Sequence, residues 1–302
     1  MQPLIVHHPA YVAPLPAGHR FPMPKFGALF RRLVSRGLAP EATLQVPSSA
    51  TPAMLRHAHE AAYVAAVIGR RLPPDAIRRL GLPLSPEVVT RARAATAGTL
   101  LTARLALDHG LACNTAGGSH HAFADCGAGF CVFNDVAVAA GVLLEEGAVR
   151  RVLVVDLDVH QGDGTAAICG RDARISTLSV HCRTNFPARK QQSTRDIALD
   201  PDVGDREYLA IVRPLIESML DRHAPDLVFY NAGVDPHKDD RLGRLALSDQ
   251  GLADREAVVL EACRRRGLPL AVVVGGGYAA DVEVVAERHA ILHAVAADLT
   301  AW

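Results

Sequence analysis

The chain has 302 residues, 49% of them hydrophobic and 21% charged, and its 32 basic side chains balance 32 acidic ones. That length buries a large core without disulfide or metal staples, and the composition excludes disordered, collagenous and coiled-coil classes. Zero net charge excludes a global field drawing the protein onto nucleic acid or an anionic membrane. No apolar run reaches the roughly 18 residues of a membrane span, and Met1-Gln2-Pro3-Leu4 lacks the basic and apolar regions of a signal peptide. The expected location is the cytoplasm. Six cysteines without CxxC spacing read as reduced packing residues rather than a zinc ribbon or a disulfide framework.

In chain order, the proline-rich opening (Pro9, Pro14, Pro16, Pro22, Pro24) reads as a surface loop. A helix is predicted over 86–107, with Ser85 as N-cap and Pro86 at the first helical position, and a second over 136–146. The β-branched run 151–156 reads as a buried strand, followed by a weaker one over 175–180. The polar stretch 189–205 reads as a second surface loop. Helices over 206–222 and 248–266 alternate with strands over 227–230 and 270–274. This alternation predicts an α/β protein, one open parallel sheet with helices on both faces, and no linker or repeat divides the domain spanning 1–302. In such a sheet ligands bind beyond the carboxyl ends of the strands.

Chemistry-bearing residues gather at those ends. Asp156-Leu157-Asp158-Val159-His160 alternates apolar and polar residues with period two, which puts three polar side chains on one side of an extended segment. Carboxylates and an imidazole so placed suit a cation, catalytic zinc being held by three such groups plus water, although a strand end with solvated acids shows the same pattern. His120-His121 follows the glycine-rich Ala116-Gly117-Gly118-Ser119. Adjacent imidazoles suit proton transfer near neutral pH, yet His7-His8 is a like pair with no assigned role. Gly275-Gly276-Gly277-Tyr278 follows the last strand; its tyrosine is either an oxyanion donor or a packed aromatic. No GxGxxG, GxxxxGK[ST] or GxSxG occurs, which removes the common nucleotide loops and the serine nucleophile elbow.

Taken together, Gly117 to Ala122, Gly129-Phe130-Cys131-Val132-Phe133-Asn134-Asp135, Asp156 to Gly164, Asn231-Ala232-Gly233-Val234-Asp235 and Gly275 to Tyr278 resemble the zinc-dependent histone deacetylase superfamily, which has an arginase-like α/β fold. His19-Arg20-Phe21-Pro22-Met23-Pro24-Lys25, Gln161 and Asp240-Arg241-Leu242-Gly243 resemble its class IV branch. The resemblance implies zinc ligands at Asp158, His160 and Asp235, proton transfer by His120 and His121, orientation of these by Asp156 and Asp163, and oxyanion donation by Tyr278. It also implies a monovalent cation, K+, at Asp156, Asp158, His160, Ser179 and the Val180 backbone, and an acyl-lysine tunnel walled by Gly129, Phe130 and Phe186. The implied activity is removal of acetyl or longer acyl groups from lysine in a protein or peptide, with no nucleic-acid or membrane partner. The rival is an amidohydrolase of the same fold acting on an acylated small amine such as an acetylpolyamine, for which Asp239 and Asp240 would be rim acids. A ureohydrolase of the arginase type and a non-catalytic acyl-lysine reader are weaker alternatives.

Overall fold

The computed structural model describes residues 3–299. Eight parallel strands form one sheet: β1 (Leu4–Val6), β2 (Leu44–Gln45), β3 (Leu111–Asn114), β4 (Val152–Asp156), β5 (Ile175–Cys182), β6 (Arg195–Leu199), β7 (Leu227–Asn231) and β8 (Leu270–Val273), in spatial order β2-β1-β3-β8-β7-β4-β5-β6. Among the described residues ten α-helices accompany them: α1 (Lys25–Ser35), α2 (Pro52–Leu55), α3 (Ala61–Ile68), α4 (Pro74–Leu80), α5 (Pro86–His109), α6 (Asp135–Glu145), α7 (Asp163–Cys169), α8 (Asp205–His223), α9 (Asp249–Arg265) and α10 (Val282–Asp298).

The sheet is buried on both faces, which is why its central strands read as unbroken apolar runs. Val152, Val154, Phe229, Ala271 and Val273 enter one core with α5 and α6; their chain neighbours Leu153, Val155, Val228, Tyr230, Leu270 and Val272 enter the other with α8, α9 and α10. Ser85 caps α5 as the sequence predicts, its Oγ accepting from Val88 N (3.2 Å); Ser248, read as the first residue of its helix, is instead the N-cap of α9, its Oγ accepting from Gly251 N (3.0 Å). Among the described residues, no helix is long and apolar enough to cross a membrane. All six cysteines are unpaired.

Two expectations need correction. The stretch 189–205 is not all loop, since Arg195–Leu199 forms edge strand β6 on β5. Only Leu199 of that strand is fully buried, so it carries no apolar signal. The proline-rich opening is not simply surface, because Tyr11, Ala13, Phe21 and Met23 are buried in the core.

Candidate active site

Strand β4 ends at Asp156, short of the extended run the alternation predicted. Asp158 N donates to Asp156 Oδ1 (3.2 Å) and His160 N to Asp158 Oδ1 (2.9 Å), so the chain bends around its own carboxylates. The bend still brings Asp158 and His160 to Asp235, from the loop after β7, with the ligand atoms of all three buried residues within 4.8 Å of one another. Val159 N donates to Asp235 Oδ1 (2.9 Å) and ties the two loops together. Arg255 of α9, fully buried and paired with Glu256, donates to the carbonyls of Gly233 (2.7 Å) and Leu157 (3.2 Å). It thereby grips the backbone beside each acid.

This trio fits a divalent cation. Two carboxylates buried side by side are costly unless a positive charge joins them. Burial and the neighbouring Asp158 push the Asp235 pKa up to about 7. Burial opposes a charge on His160, but hydrogen bonds to Asp158 and Asp235 prevail and raise its pKa to about 10. The acids therefore demand a cation, and two oxygen donors with one imidazole are a three-ligand catalytic zinc set. The surrounding backbone is cut to match: a Cβ on Gly276 would strike Asp235 Oδ2 and crowd Asp158 Oδ2, and one on Gly233 would strike Asp158 Oδ2.

Beside the trio stand two His–Asp pairs. His120 Nδ1 lies 2.7 Å from Asp156 Oδ2 and His121 Nδ1 lies 2.6 Å from Asp163 Oδ1, with the imidazole rings 4.1 Å apart. Burial lowers His120, but Asp156 and Asp158 outweigh it and hold the group up to about 9. His121 goes the other way, to about 4, because burial and the charge of His120 exceed the pull of Asp163. Burial and charge thus push these neighbouring imidazoles in opposite directions, the arrangement that separates donor from acceptor.

Their support comes from Asp135 and Asn231, which lie in the matching motifs with no role assigned, and from His59, which no motif marked. Asp135 accepts from the backbone N–H of Ser119 (2.7 Å) and Gly118 (3.1 Å) and from Thr99 Oγ1 (2.5 Å), which fixes the loop just ahead of His120. Asn231 Nδ2 donates to Asp156 Oδ1 (2.9 Å). His59 hydrogen-bonds the Phe123 carbonyl through Nδ1 (2.9 Å) and accepts the Asn134 N–H at Nε2 (2.9 Å), so it must be neutral with its proton on Nδ1. Burial lowers its pKa to about 4, the bond to Phe123 opposing. Below pH 6.5 the unfolded imidazole takes a proton that the folded one refuses. Stability is therefore full above pH 6.5, falls as pH drops toward 4, and loses about 3 kcal/mol through this group. Urea unfolding at pH 7.5 and pH 5 should show about 2 kcal/mol of this loss, and His59→Gln should flatten the slope; an unchanged slope would remove His59 as its source.

Tyr278 faces the trio, its ring 6.1 Å from His160 and perpendicular to it. Its backbone N–H donates to Asp240 Oδ2 (2.6 Å), and burial and the nearby Asp235 and Asp158 hold its pKa well above 10, so the hydroxyl keeps its proton. Gly129, Phe130 and Phe186 line a cavity of about 420 Å3 with His121, His160 and Tyr278. Phe130 adopts a left-handed backbone (φ 66°) while its N–H donates to Leu80 O (2.8 Å), and Phe186 sets its ring edge against His121 at 4.8 Å. Gln161 lies to one side: its amide donates to Gln191 O and Asp196 Oδ1 (both 2.8 Å) and accepts from Gln191 N (2.8 Å), anchoring the segment before β6. Ser179 pairs in register with Asp156, and its Oγ is engaged by His181 Nδ1 (3.0 Å).

The acids expected at the rim do not line that cavity. Asp240 is occupied by the backbone of Leu242, Gly243 and Tyr278, and Asp239 pairs with Arg288 (3.1 Å).

A family described as Histone deacetylase domain matches residues 19–294. This chain belongs to the histone deacetylase family. Within that family it is 48% identical over 295 residues to an uncharacterised protein of Picosynechococcus sp., covering 98% of both chains. It is 31% identical to Histone deacetylase 2 of Arabidopsis thaliana over 86% of this chain and 70% of the relative. A histone deacetylase homologue from Aquifex aeolicus shares the fold, with a TM-score of 0.84 at 24% identity over 98% of this chain and 84% of that one. Membership makes the chain a deacetylase-type amidohydrolase of a generally zinc-dependent family, with Asp158, His160 and Asp235 as a possible metal site.

Proposed function

We propose that this histone deacetylase is a zinc-dependent lysine deacylase of the class IV branch, one catalytic domain over 1–302 that removes acetyl or longer acyl groups from the ε-amino group of lysine. One observation carries the reading: the buried Asp158, His160 and Asp235 cluster within ligand distance of one another, and His160 of that trio, His121 of the two His–Asp pairs and Tyr278 line one cavity. When bound, zinc supplies Lewis acidity, which brings water to a pKa of about 7 and polarises the amide carbonyl.

The remaining work falls to the chain. His121, neutral, takes the proton of the attacking water, and Asp163 steadies the imidazolium that forms. Tyr278 donates its hydroxyl to the oxygen that gains charge as the carbonyl becomes tetrahedral. His121 then returns the proton to the departing lysine nitrogen, so a neutral amine leaves and the carboxylic acid remains. His120, protonated and held by Asp156, offsets the negative charge gathered around the trio. The same reading places K+ at Asp156, Asp158, His160, Ser179 and the Val180 backbone, beneath the zinc loop.

The test is initial rates on one lysine peptide bearing acetyl, octanoyl or myristoyl, with an acetylated polyamine beside it and chelator-treated enzyme as control. Peptide turnover that chelation abolishes and zinc restores is the expected result. Turnover of the polyamine alone would move the activity to small-molecule amides. Zinc binding with no turnover of any substrate would leave an acyl-lysine reader.

A further inference from the structure

The cavity mouth is a ring of positive charge. Arg20 from the opening segment, Arg78 and Arg79 from the last turn of α4, and Arg244 from the loop after β7 all line it, and no aspartate or glutamate does. The chain as a whole balances 32 basic against 32 acidic residues, so four arginines without an acid is a local asymmetry. All four are exposed, and none forms an ion pair among the described residues. Arg79 alone is otherwise engaged, stacked over the Phe123 ring at 5.5 Å.

The segments that bear these arginines are fixed. His19, next to Arg20, bonds the Gly81 carbonyl (3.0 Å) just past α4, and Phe130 of the tunnel wall donates to Leu80 O (2.8 Å). Beyond β7, the Arg244 carbonyl accepts from Asp202 N (2.8 Å). Helix α4 and the opening segment are thus joined to each other, and α4 to the wall, so the backbone that carries these arginines is held at the entrance.

We infer that this mouth selects acyl-lysine in an acidic setting, a peptide segment with aspartate or glutamate flanking the modified lysine. The inference rests on the proposed deacylase reading and adds the substrate's context to it. The arginines stand outside the tunnel walls, so they meet residues beside the lysine and leave the acyl group to Gly129, Phe130 and Phe186. A protonated polyamine would be repelled at the same entrance. Guanidinium forks bind carboxylates in pairs, and exposed pairs of this kind act additively and weaken with salt.

The experiment compares three acetyl-lysine peptides, flanked by Asp/Glu, by Ser/Gly and by Lys/Arg, on the zinc-loaded full chain at low and high ionic strength. The expected kcat/KM is about tenfold higher for the acidic than for the basic peptide at low salt, the ratio shrinking in high salt. A triple variant, Arg20→Glu, Arg78→Glu and Arg244→Glu, should reverse the order, and the corresponding glutamine variant should level it. Equal kcat/KM on all three peptides, or a preference for the basic one, would overturn the inference while leaving the deacylase reading intact. If no peptide turns over, that reading fails instead. Fluorescence anisotropy of the same labelled peptides then decides the mouth: tighter binding of the acidic peptide, lost in the triple variant, upholds it, and indifferent binding overturns it.

Discussion

Asp235→Ala is expected to strip the enzyme of zinc and reduce turnover to background. Asp235 is one of the three proposed ligands, and loss of even a partner that orients a ligand costs about 10 to 100-fold in metal affinity, so removing a ligand should cost more. Because Asp235 also accepts the Val159 N–H (2.9 Å), alanine would loosen the join between the two ligand loops. Asp235→Asn separates these effects, since its amide oxygen still accepts that bond while the negative charge is gone. Zinc per chain after dialysis, measured by elemental analysis with circular dichroism as a fold control, should be near zero in both variants. Stoichiometric zinc in the asparagine protein would remove Asp235 from the ligand set.

Tyr278→Phe should leave zinc, fold and substrate affinity in place and lower kcat by roughly 100 to 1,000-fold. The loss of one oxyanion donor typically costs about 2.7 to 4 kcal/mol, and that cost falls on the transition state alone. Nothing else depends on the hydroxyl: the backbone N–H still binds Asp240, and the ring still packs against Phe130, at 6.3 Å, and beneath Lys25 Nζ, at 5.6 Å. The predicted signature is a fallen kcat with an unchanged KM. Near-normal kcat would return Tyr278 to the role of a packed aromatic.

What could be read without coordinates followed from how strongly each segment advertised itself. Strands β4, β7 and β8 are buried on both faces and appear as apolar runs, β5 gives a weaker signal broken by Ser, Thr and His, and helices α5, α6 and α9 carry side-chain caps while α8 has only its spacing pattern. Strand β1 has three residues and β3 four, the latter separated from α5 by Gly110 alone, so β3 reads as the tail of a helix. The deacetylase motifs contain the residues of the trio and of the His pairs, and with them the supports Asp135 and Asn231. The other supports lie far off in sequence and have no pattern of their own: His59 reaches Asn134, and Arg255 reaches Leu157 and Gly233. For the same reason Asp239 and Asp240 read as rim acids, although both are engaged elsewhere.

The strand order has a consequence for how the chain acquires its site. Strand β3 ends at Asn114, but its inner neighbour β8 begins only at Leu270, and the edge it presents stays unpaired until nearly the whole polypeptide has emerged. The half of the sheet that carries β4 and β5 meets the half that carries β1 and β3 through β7 and β8, the last two strands made. His121 and Tyr278 therefore come to the same cavity only in the closing act of synthesis. Such distant pairings make folding slow and leave a β-edge open to other chains meanwhile. Truncation anywhere before Leu270 yields not a weakened enzyme but a sheet without its keystone.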